Sequence, residues 1–570
     1  MAHIVVQDVR PSTPHGYPAK ALVGEDIPVS ASVFRDGHDV LAARALLRRG
    51  GDVVSTCALT ARGNDVWTGT LVAGELGAHD LVVEAWTERY VLAGERTSDL
   101  TASAPVALWV ERERAGVGAW YELFPRSFGG LRGAAAQVER VAAMGFDVLY
   151  LPPVHPIGRS FRKGKNNALA AEEGDPGSPW AIGADEGGHT SIHPDLGDFA
   201  DFDFLVETAA AHGVEVALDY ALQCSPDHPW VKEHPEWFHH RADGTIAYAE
   251  NPPKKYQDIY PLNFWPAAEA DRVALWEACK EIIDFWAGRG IRIFRVDNPH
   301  TKPFAFWDWL IKALRRERPD LVLLAEAFTR PKLMARLAEV GFSQSYTYFT
   351  WRVGQYGPEG LRTYVEELAD GPLADYMRPN FWPNTPDILS GPLRGGPPSA
   401  FALRYVLAAT LAPSYGIYSG YELCENAPAS PDNEEYLGSE KYEIKNRDFG
   451  RPGSLAPLFS TMNSVRRRHP AFARLRNIHF HGSDNPNVMA YSKVSDDGDD
   501  VVLVVVTLDP HATQEATLDI DTVALGLPAG GVFEVYDELS AETYLWGPRP
   551  YVKFEPWRRV AHVLDVRGRL

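Results

Sequence analysis

The sequence predicts a multidomain α/β protein: a (β/α)8 TIM barrel with enlarged catalytic-face loops, flanked by N-terminal and C-terminal β-sandwich domains. Three observations carry this. Between about 109 and 470, short apolar runs alternate with helical stretches, as in a parallel α/β fold. The runs count to eight, and three acidic residues read as each ending such a run, where barrel folds keep their chemistry. Before 108 and after 471 the helical pattern is missing and short β-type runs dominate. At 570 residues, the chain is also too long for one core.

Taken in order, residues 1–108 contain alternating runs such as Ile27–Phe34 and Asp80–Trp86 with Gly/Asp turns between them, which predicts an immunoglobulin-type sandwich. Residues 93–107 have linker composition. The eight barrel strands are expected at Trp120–Phe124, Val148–Leu151, Val214–Leu222, Ile291–Val296, Leu321–Ala325, Ser343–Phe349, Tyr376–Asn380 and Ser414–Ser419. Helices such as Asp271–Arg289 and Trp307–Arg318 fill the gaps. Insertions at 154–198, 224–264 and 425–450 each follow a strand and so belong to the catalytic face. Runs such as Val501–Leu508 and Pro550–Phe554 mark the C-terminal sandwich, 471–570.

Composition removes several classes of function. With 56 basic against 76 acidic residues the net charge is −20, which argues against nucleic acid and anionic membrane partners. No apolar run reaches membrane-span length and the N-terminus lacks a signal-peptide pattern, so a cytoplasmic protein is expected. Cys57, Cys224, Cys279 and Cys424 are scattered, without disulfide or metal-ligand spacing. His228, His239 and His240 lack a third ligand at sensible spacing and read as bonded to ligand hydroxyls or loop backbone. Arg466-Arg467-Arg468 reads as a solvated helix end.

The chemistry centres on Ile291-Arg292-Ile293-Phe294-Arg295-Val296-Asp297, an apolar run that ends on Arg-x-Asp. Side chains two apart share a strand face, so Arg295 lies beside Asp297 and keeps it ionised and aimed, as a carboxylate nucleophile requires. Leu321-Val322-Leu323-Leu324-Ala325-Glu326 ends on a second acid, and Asn384-Thr385-Pro386-Asp387 supplies a third. A retaining glycosyl-transfer mechanism needs a nucleophile and an acid/base carboxyl roughly 5 Å apart. Asp297 and Glu326 fit these roles on adjacent strands, and Asp387 is placed to stabilise a distorted sugar. A lone strand-end acid reads as a helix cap or an arginine partner; three in this order favour catalysis.

These motifs, with Asp219 closing the third strand, resemble the α-amylase superfamily over roughly 115–570. Two departures matter. Asp219-Tyr220-Ala221-Leu222-Gln223-Cys224 replaces the usual Asp-x-x-x-Asn-His, and Pro386-Asp387 replaces His-Asp. The first removes a residue that supports calcium in amylases, so the resemblance implies no metal; both remove histidines that touch sugar.

One branch is matched more closely, the bacterial maltose-1-phosphate maltosyltransferases. The matching runs are Trp120–Ser127, Arg162–Asn167, Gln223–Trp230, Glu250–Tyr260 and Ser439–Tyr442. That resemblance implies α-maltose-1-phosphate and α-1,4-glucan as substrates and no cofactor. It implies phosphate contacts at Asn251, Lys254, Tyr256 and Asn298, and sugar contacts at Lys163, Gln223, Lys441 and Tyr442. The loop 251–256 is proline-stiffened and offers amide, ammonium and phenol donors of the kind a departing phosphate needs; on its own it also reads as a solvated basic turn. A helical segment that the family carries between sandwich and barrel, and uses in a homodimer interface, is missing from the sequence, so the homodimer is not carried over. The rival readings are an α-glucan hydrolase or trehalose-forming isomerase on the same barrel, and a non-catalytic glucan-binding protein.

Overall fold

The computed structural model describes residues 3–88, 99–251, 254–355 and 357–569. Its centre is an eight-stranded parallel sheet whose strands follow one another in chain order: Gly118–Glu122, Val148–Leu151, Glu215–Tyr220, Ile293–Asp297, Val322–Glu326, Gln344–Ser345, Asn380–Phe381 and Ser414–Tyr418. The eighth strand pairs with both the first and the seventh. A parallel bridge from Ser345 to Pro379 joins the sixth to the seventh and closes the barrel. The strands are buried apart from the half-buried Glu215, and mainly apolar below the acids that end them, as a sheet covered inside and out must be. Trp120, Tyr150, Ile293, Leu324, Tyr346 and Trp382 fill the interior below the site.

Strands six and seven differ from expectation. The run Ser343–Phe349 yields only the two-residue strand Gln344–Ser345, and Phe349 opens a helix, Phe349–Gln355. The seventh strand is Asn380–Phe381, displaced from the expected Tyr376–Asn380; residues 372–375 form a 3-10 turn, and Pro379 has no N–H to give a ladder. The segment taken for a linker is partly sheet: Thr101–Ala102 and Val106–Glu111 both pair with the strand Gly77–Thr87, while 93–98 lie outside the described residues.

The first sheet has nine strands and a core of its own. Its last strand delivers Glu111 and Arg112 to the N-terminal end of the barrel, opposite the catalytic face. There, Ser343 Oγ donates to Glu111 at 2.8 Å and Arg112 pairs with Glu215 at 2.8 Å. At the other end of the chain, Val501–Thr507 is entirely buried because it has two partners. Leu503 and Val505 face the C-terminal core, while Val502, Val504 and Val506 pack on the main core with the helix Pro398–Leu411.

The basic run 466–468 is solvated at Arg467 and Arg468, as expected, but not at Arg466. It does end the helix Ala456–Arg468, but Arg466 donates to the carbonyls of Ala409, Ala412 and Pro413. Arg467 reaches Gly145 and Asp147, and Arg468 pairs with Glu538 of the C-terminal domain. The Arg466 charge complements the carbonyl end of a neighbouring helix as well as its own.

Candidate active site

Asp297 and Glu326 are the last residues of adjacent parallel strands and are paired in register. Neighbouring strands lie about 4.8 Å apart, which suits the carboxyl separation of a retaining mechanism. Parity of two along each strand points Ile293, Arg295 and Asp297 inward, and likewise Leu324 and Glu326, Ala217 and Asp219, Val148 and Tyr150.

Arg295 is the hub of this layer. Its Nη1 contacts Asp297 Oδ1 at 2.9 Å and Asp219 Oδ2 at 2.8 Å, and its Nη2 contacts Glu326 Oε1 at 3.1 Å. Asp219 also accepts from Tyr150 OH at 2.6 Å and Trp180 Nε1 at 3.2 Å. Three carboxylates thus share one guanidinium, and burial works against their ionisation. For Glu326, burial pushes the carboxyl up to about 7; Arg295 resists, and the neighbouring Asp297 and Asp387 add to the rise. That value suits a group that exchanges a proton near neutral pH. Glu122, inward at the end of the first strand, is also raised well above the ordinary glutamate value, first by burial.

Asn298 follows Asp297 in a left-handed conformation (φ 41°, ψ 53°), which asparagine tolerates better than most residues. Its backbone N–H faces Glu326 Oε2 at 3.3 Å and its amide nitrogen faces Asp297 Oδ2 at 3.4 Å. Asp387 is not on the seventh strand. It sits in the turn of a small hairpin, Asn384–Thr385 with Ile388–Leu389, and accepts from Lys441 Nζ at 2.6 Å. Burial opposes the Lys441 charge, but Asp387 outweighs it and lifts its pKa well above that of an ordinary lysine.

These groups open on a cleft of about 940 Å³ that Asp297, Asn298, Glu326, Asp387, Gln223, Tyr256, Lys441 and Tyr442 all line. Lys163 stands behind Tyr256: its Nζ lies 5.9 Å from the ring centroid and donates to the Lys255 carbonyl at 3.1 Å. Gln223 Nε2 donates to Trp180 O at 3.3 Å. Asn251 and Lys254 face each other across the hairpin Ala249–Asn251 with Lys254–Tyr256, and their side chains lie outside the described residues, as do Pro252 and Pro253. The structure therefore brings the three acids and Arg295 together with five of the eight expected substrate contacts in the cleft, and places Lys163 just behind it.

Sequence reading missed several residues of the cleft. Asp258 lines it with a buried Oδ1 that has no partner, and burial raises its pKa. Trp351 Nε1 is held by Glu434 at 3.0 Å, with Phe328 set edge-on at 5.2 Å. Lys302, five residues beyond Asp297, also lines the cleft and is buried. His228 bonds to loop backbone and to another histidine. Its Nδ1 accepts from Trp230 N at 3.0 Å, which leaves Nε2–H to donate to His189 Nδ1 at 3.1 Å; His189 Nε2–H donates in turn to Ala221 O at 2.9 Å. Cys224 lies within ligating reach of both rings, but the pair's nitrogens are spent on these bonds and burial holds both imidazoles neutral.

Fold and carboxylate layer together define an α-amylase-type glycosyl-transferring barrel. Solved structures agree on the fold. A cyclomaltodextrinase superposes with a TM-score of 0.63 over 98% of this chain and 99% of its own, at 15% identity. An α-amylase from Geobacillus thermoleovorans gives 0.60 over 80% and 99%, at 16% identity. Family models match at both ends of the chain: "Alpha-1,4-glucan:maltose-1-phosphate maltosyltransferase, domain N/S" over residues 2–92 and "GLGE, C-terminal" over 480–566. Among curated relatives, α-1,4-glucan:maltose-1-phosphate maltosyltransferase 2 of Streptomyces coelicolor is 57% identical over 489 residues, 84% of this chain and 72% of the relative. Maltosyltransferase 1 of the same organism is 48% identical over 654 residues, 99% of this chain and 95% of the relative. The Mycobacterium tuberculosis enzyme is 50% identical over 482 residues, 82% and 68%. The chain belongs to the α-1,4-glucan:maltose-1-phosphate maltosyltransferase family. The 654-residue alignment is longer than this 570-residue chain, so that relative carries residues with no counterpart here.

Proposed function

We propose that this protein is a retaining glycosyltransferase that moves maltosyl units from α-maltose-1-phosphate to the non-reducing end of α-1,4-glucans and releases phosphate. The observation that carries the chemistry is the in-register pair Asp297 and Glu326, bridged by Arg295 at the floor of the cleft. Asp297 attacks the anomeric carbon, the C1–O bond to phosphate breaks, and a β-maltosyl ester forms on the carboxylate. Glu326 then removes the proton from the acceptor 4-hydroxyl as it displaces Asp297, and the two inversions restore the α linkage.

Phosphate leaves toward Tyr256, Asn298 and the hairpin that carries Asn251 and Lys254. Donors there offset the charge that builds on the leaving oxygens. Lys163, Gln223, Lys441 and Tyr442 hold the two glucose rings, with Asp387 and Lys441 acting as a pair. Trp351 and Phe328 give an apolar face for an acceptor ring. A dry cleft is needed because water would hydrolyse the ester.

The test is phosphate release from α-maltose-1-phosphate with and without a maltooligosaccharide, with product lengths read by mass. Acceptor-dependent release and growth by two glucoses at a time is the expected result. Cleavage or isomerisation of unphosphorylated glucan without phosphate release would replace this reading with a hydrolase or isomerase, and binding without turnover would favour the glucan-binding protein. Lys441→Met removes the partner of a carboxylate that is partly open to solvent, so a rise of about tenfold in donor KM is expected, with a smaller effect on kcat. Unchanged steady-state kinetics would remove Lys441 from the sugar site.

A further inference from the structure

The segment after the nucleophile, Asn298-Pro299-His300-Thr301-Lys302-Pro303, makes a tight reversal that returns Lys302 under the end of its own strand. Lys302 is 9% exposed. Its Nζ donates to the carbonyl of Asp297 at 3.2 Å and to that of Asn298 at 3.2 Å. Among the described residues, no carboxylate oxygen lies within 4.0 Å of it. Its pKa is lowered, first by burial; the charges of Asp297, Glu326 and Asp219 work against that shift, and Arg295 works with it. A buried ammonium that spends its hydrogen bonds on two successive carbonyls is a costly arrangement unless it holds something in place.

What it holds is the left-handed turn. The φ of 41° and ψ of 53° at Asn298 lie in a sparsely populated region that persists only where the surroundings hold it, and the Lys302 ammonium bonds the carbonyl on either side of that residue's φ/ψ pair. The same turn aims the Asn298 backbone N–H at Glu326 Oε2, 3.3 Å away, and presents the Asn298 amide to Asp297 Oδ2. Thr301 adds a second tie, its Oγ1 donating to the Asn298 carbonyl at 2.8 Å. Trp307 Nε1 fixes the Pro299 carbonyl at 2.9 Å.

We infer that Lys302 is a positioning residue: its ammonium clamps the strained turn after Asp297 and so sets the nucleophile and the Asn298 N–H that faces the acid/base. This rests on the transferase reading for its substrate but not for its geometry. Glu326 is faced by Arg295, Asp297, Asp387 and Tyr346 as well as by the Asn298 N–H and Lys302. The N–H and the Lys302 charge both favour its ionised form. Loss of the clamp therefore raises the Glu326 pKa.

The test uses the full chain, with α-maltose-1-phosphate and, separately, α-maltosyl fluoride, a donor that needs no phosphate pocket. For Lys302→Met, kcat is expected to fall about 10²-fold on both donors, the loss that a misplacement of roughly 1 Å brings, with donor KM changed less than about threefold. The acidic limb of the pH–kcat profile should move to higher pH. Lys302→Arg keeps a cation and several donors, and should recover most of kcat and return the limb toward its wild-type position. If Lys302→Met does not fold, Thr301→Val loosens the same carbonyl and should show the same signs with a smaller loss.

A donor KM raised with kcat intact would make Lys302 a substrate contact. A fall in activity that tracks Tm and leaves the limb in place would make it a structural tie. Either overturns the inference. If wild type turns over only the fluoride, the phosphate-donor reading fails, while the fate of Lys302 is still read from the fluoride.

Discussion

Asp297→Asn is expected to fold normally and to lose about 10⁵-fold or more in kcat, the scale reached when an enzyme's nucleophile is removed. The asparagine is isosteric but cannot attack the anomeric carbon, and among the described residues no other carboxylate is free to take its place. Asp219 points inward on the next strand but is tied to Tyr150, Trp180 and Arg295. Stability should not suffer, because the substitution removes one of the charges crowding Arg295 and with it a cause of the raised Glu326 pKa. A Tm equal to or above that of wild type separates this loss from misfolding. Glu326→Gln makes a useful contrast. Phosphate leaves with little help from an acid, so the first step survives while the acceptor is no longer deprotonated. A burst of up to one phosphate per active site is expected from Glu326→Gln and none from Asp297→Asn. Turnover by Asp297→Asn above 1% of wild type would sink the nucleophile assignment.

How much of this was legible in the sequence depended on what each residue needed from its neighbours in the chain. Asp297 and Glu326 stand at the ends of uninterrupted apolar runs, which only doubly buried strands require, so run and acid together placed them. Arg295 followed by parity. The expectation for the N- and C-terminal β modules rested on the same kind of local pattern. Strands six and seven had no such signal. They are two residues long, and Pro379 and Pro383 interrupt the run around them, so Asp387 read as a strand end when a hairpin turn holds it. Tyr150 and Asp219 share a layer that parity could have shown, since Val148 and Ala217 are interior and each lies two residues before. Lys302 was beyond reach, because a lone lysine five residues after an acid looks solvated until a reversal brings it back. Arg466 failed for the same reason at larger distance: the carbonyls it satisfies belong to residues 409–413.

Arg295→Met is expected to abolish turnover and, at pH 8, to cost about 3–5 kcal/mol of stability, the range found when one partner of a buried ion pair is removed. The variant leaves Asp219, Asp297 and Glu326 around an apolar side chain. Tyr150 and Trp180 still serve Asp219, and the Asn298 N–H still serves Glu326, but among the described residues no other cation stands in ion-pair distance of the three. The pH dependence has a definite sign. In the wild type Glu326 is already raised to about 7 and Asp219 to about 6, in both cases by burial against the pull of Arg295. Without that pull both rise further above their unfolded values. A carboxyl whose folded pKa exceeds its unfolded one favours folding at low pH, where it holds its proton in the native state, and loses that contribution as pH rises through the folded value. The penalty in the variant should therefore be largest at pH 8 and shrink toward pH 6, where Glu326 and Asp219 are taking up protons in both proteins, with little further change below that. Denaturant unfolding of both proteins across that range measures it. A wild-type-minus-variant difference that stays flat with pH, or grows on acidification, would mean that Arg295 acts by packing against Tyr150 and Tyr346, whose ring centroids lie 5.8 and 6.0 Å from its guanidinium, and not as the counter-charge of the catalytic layer.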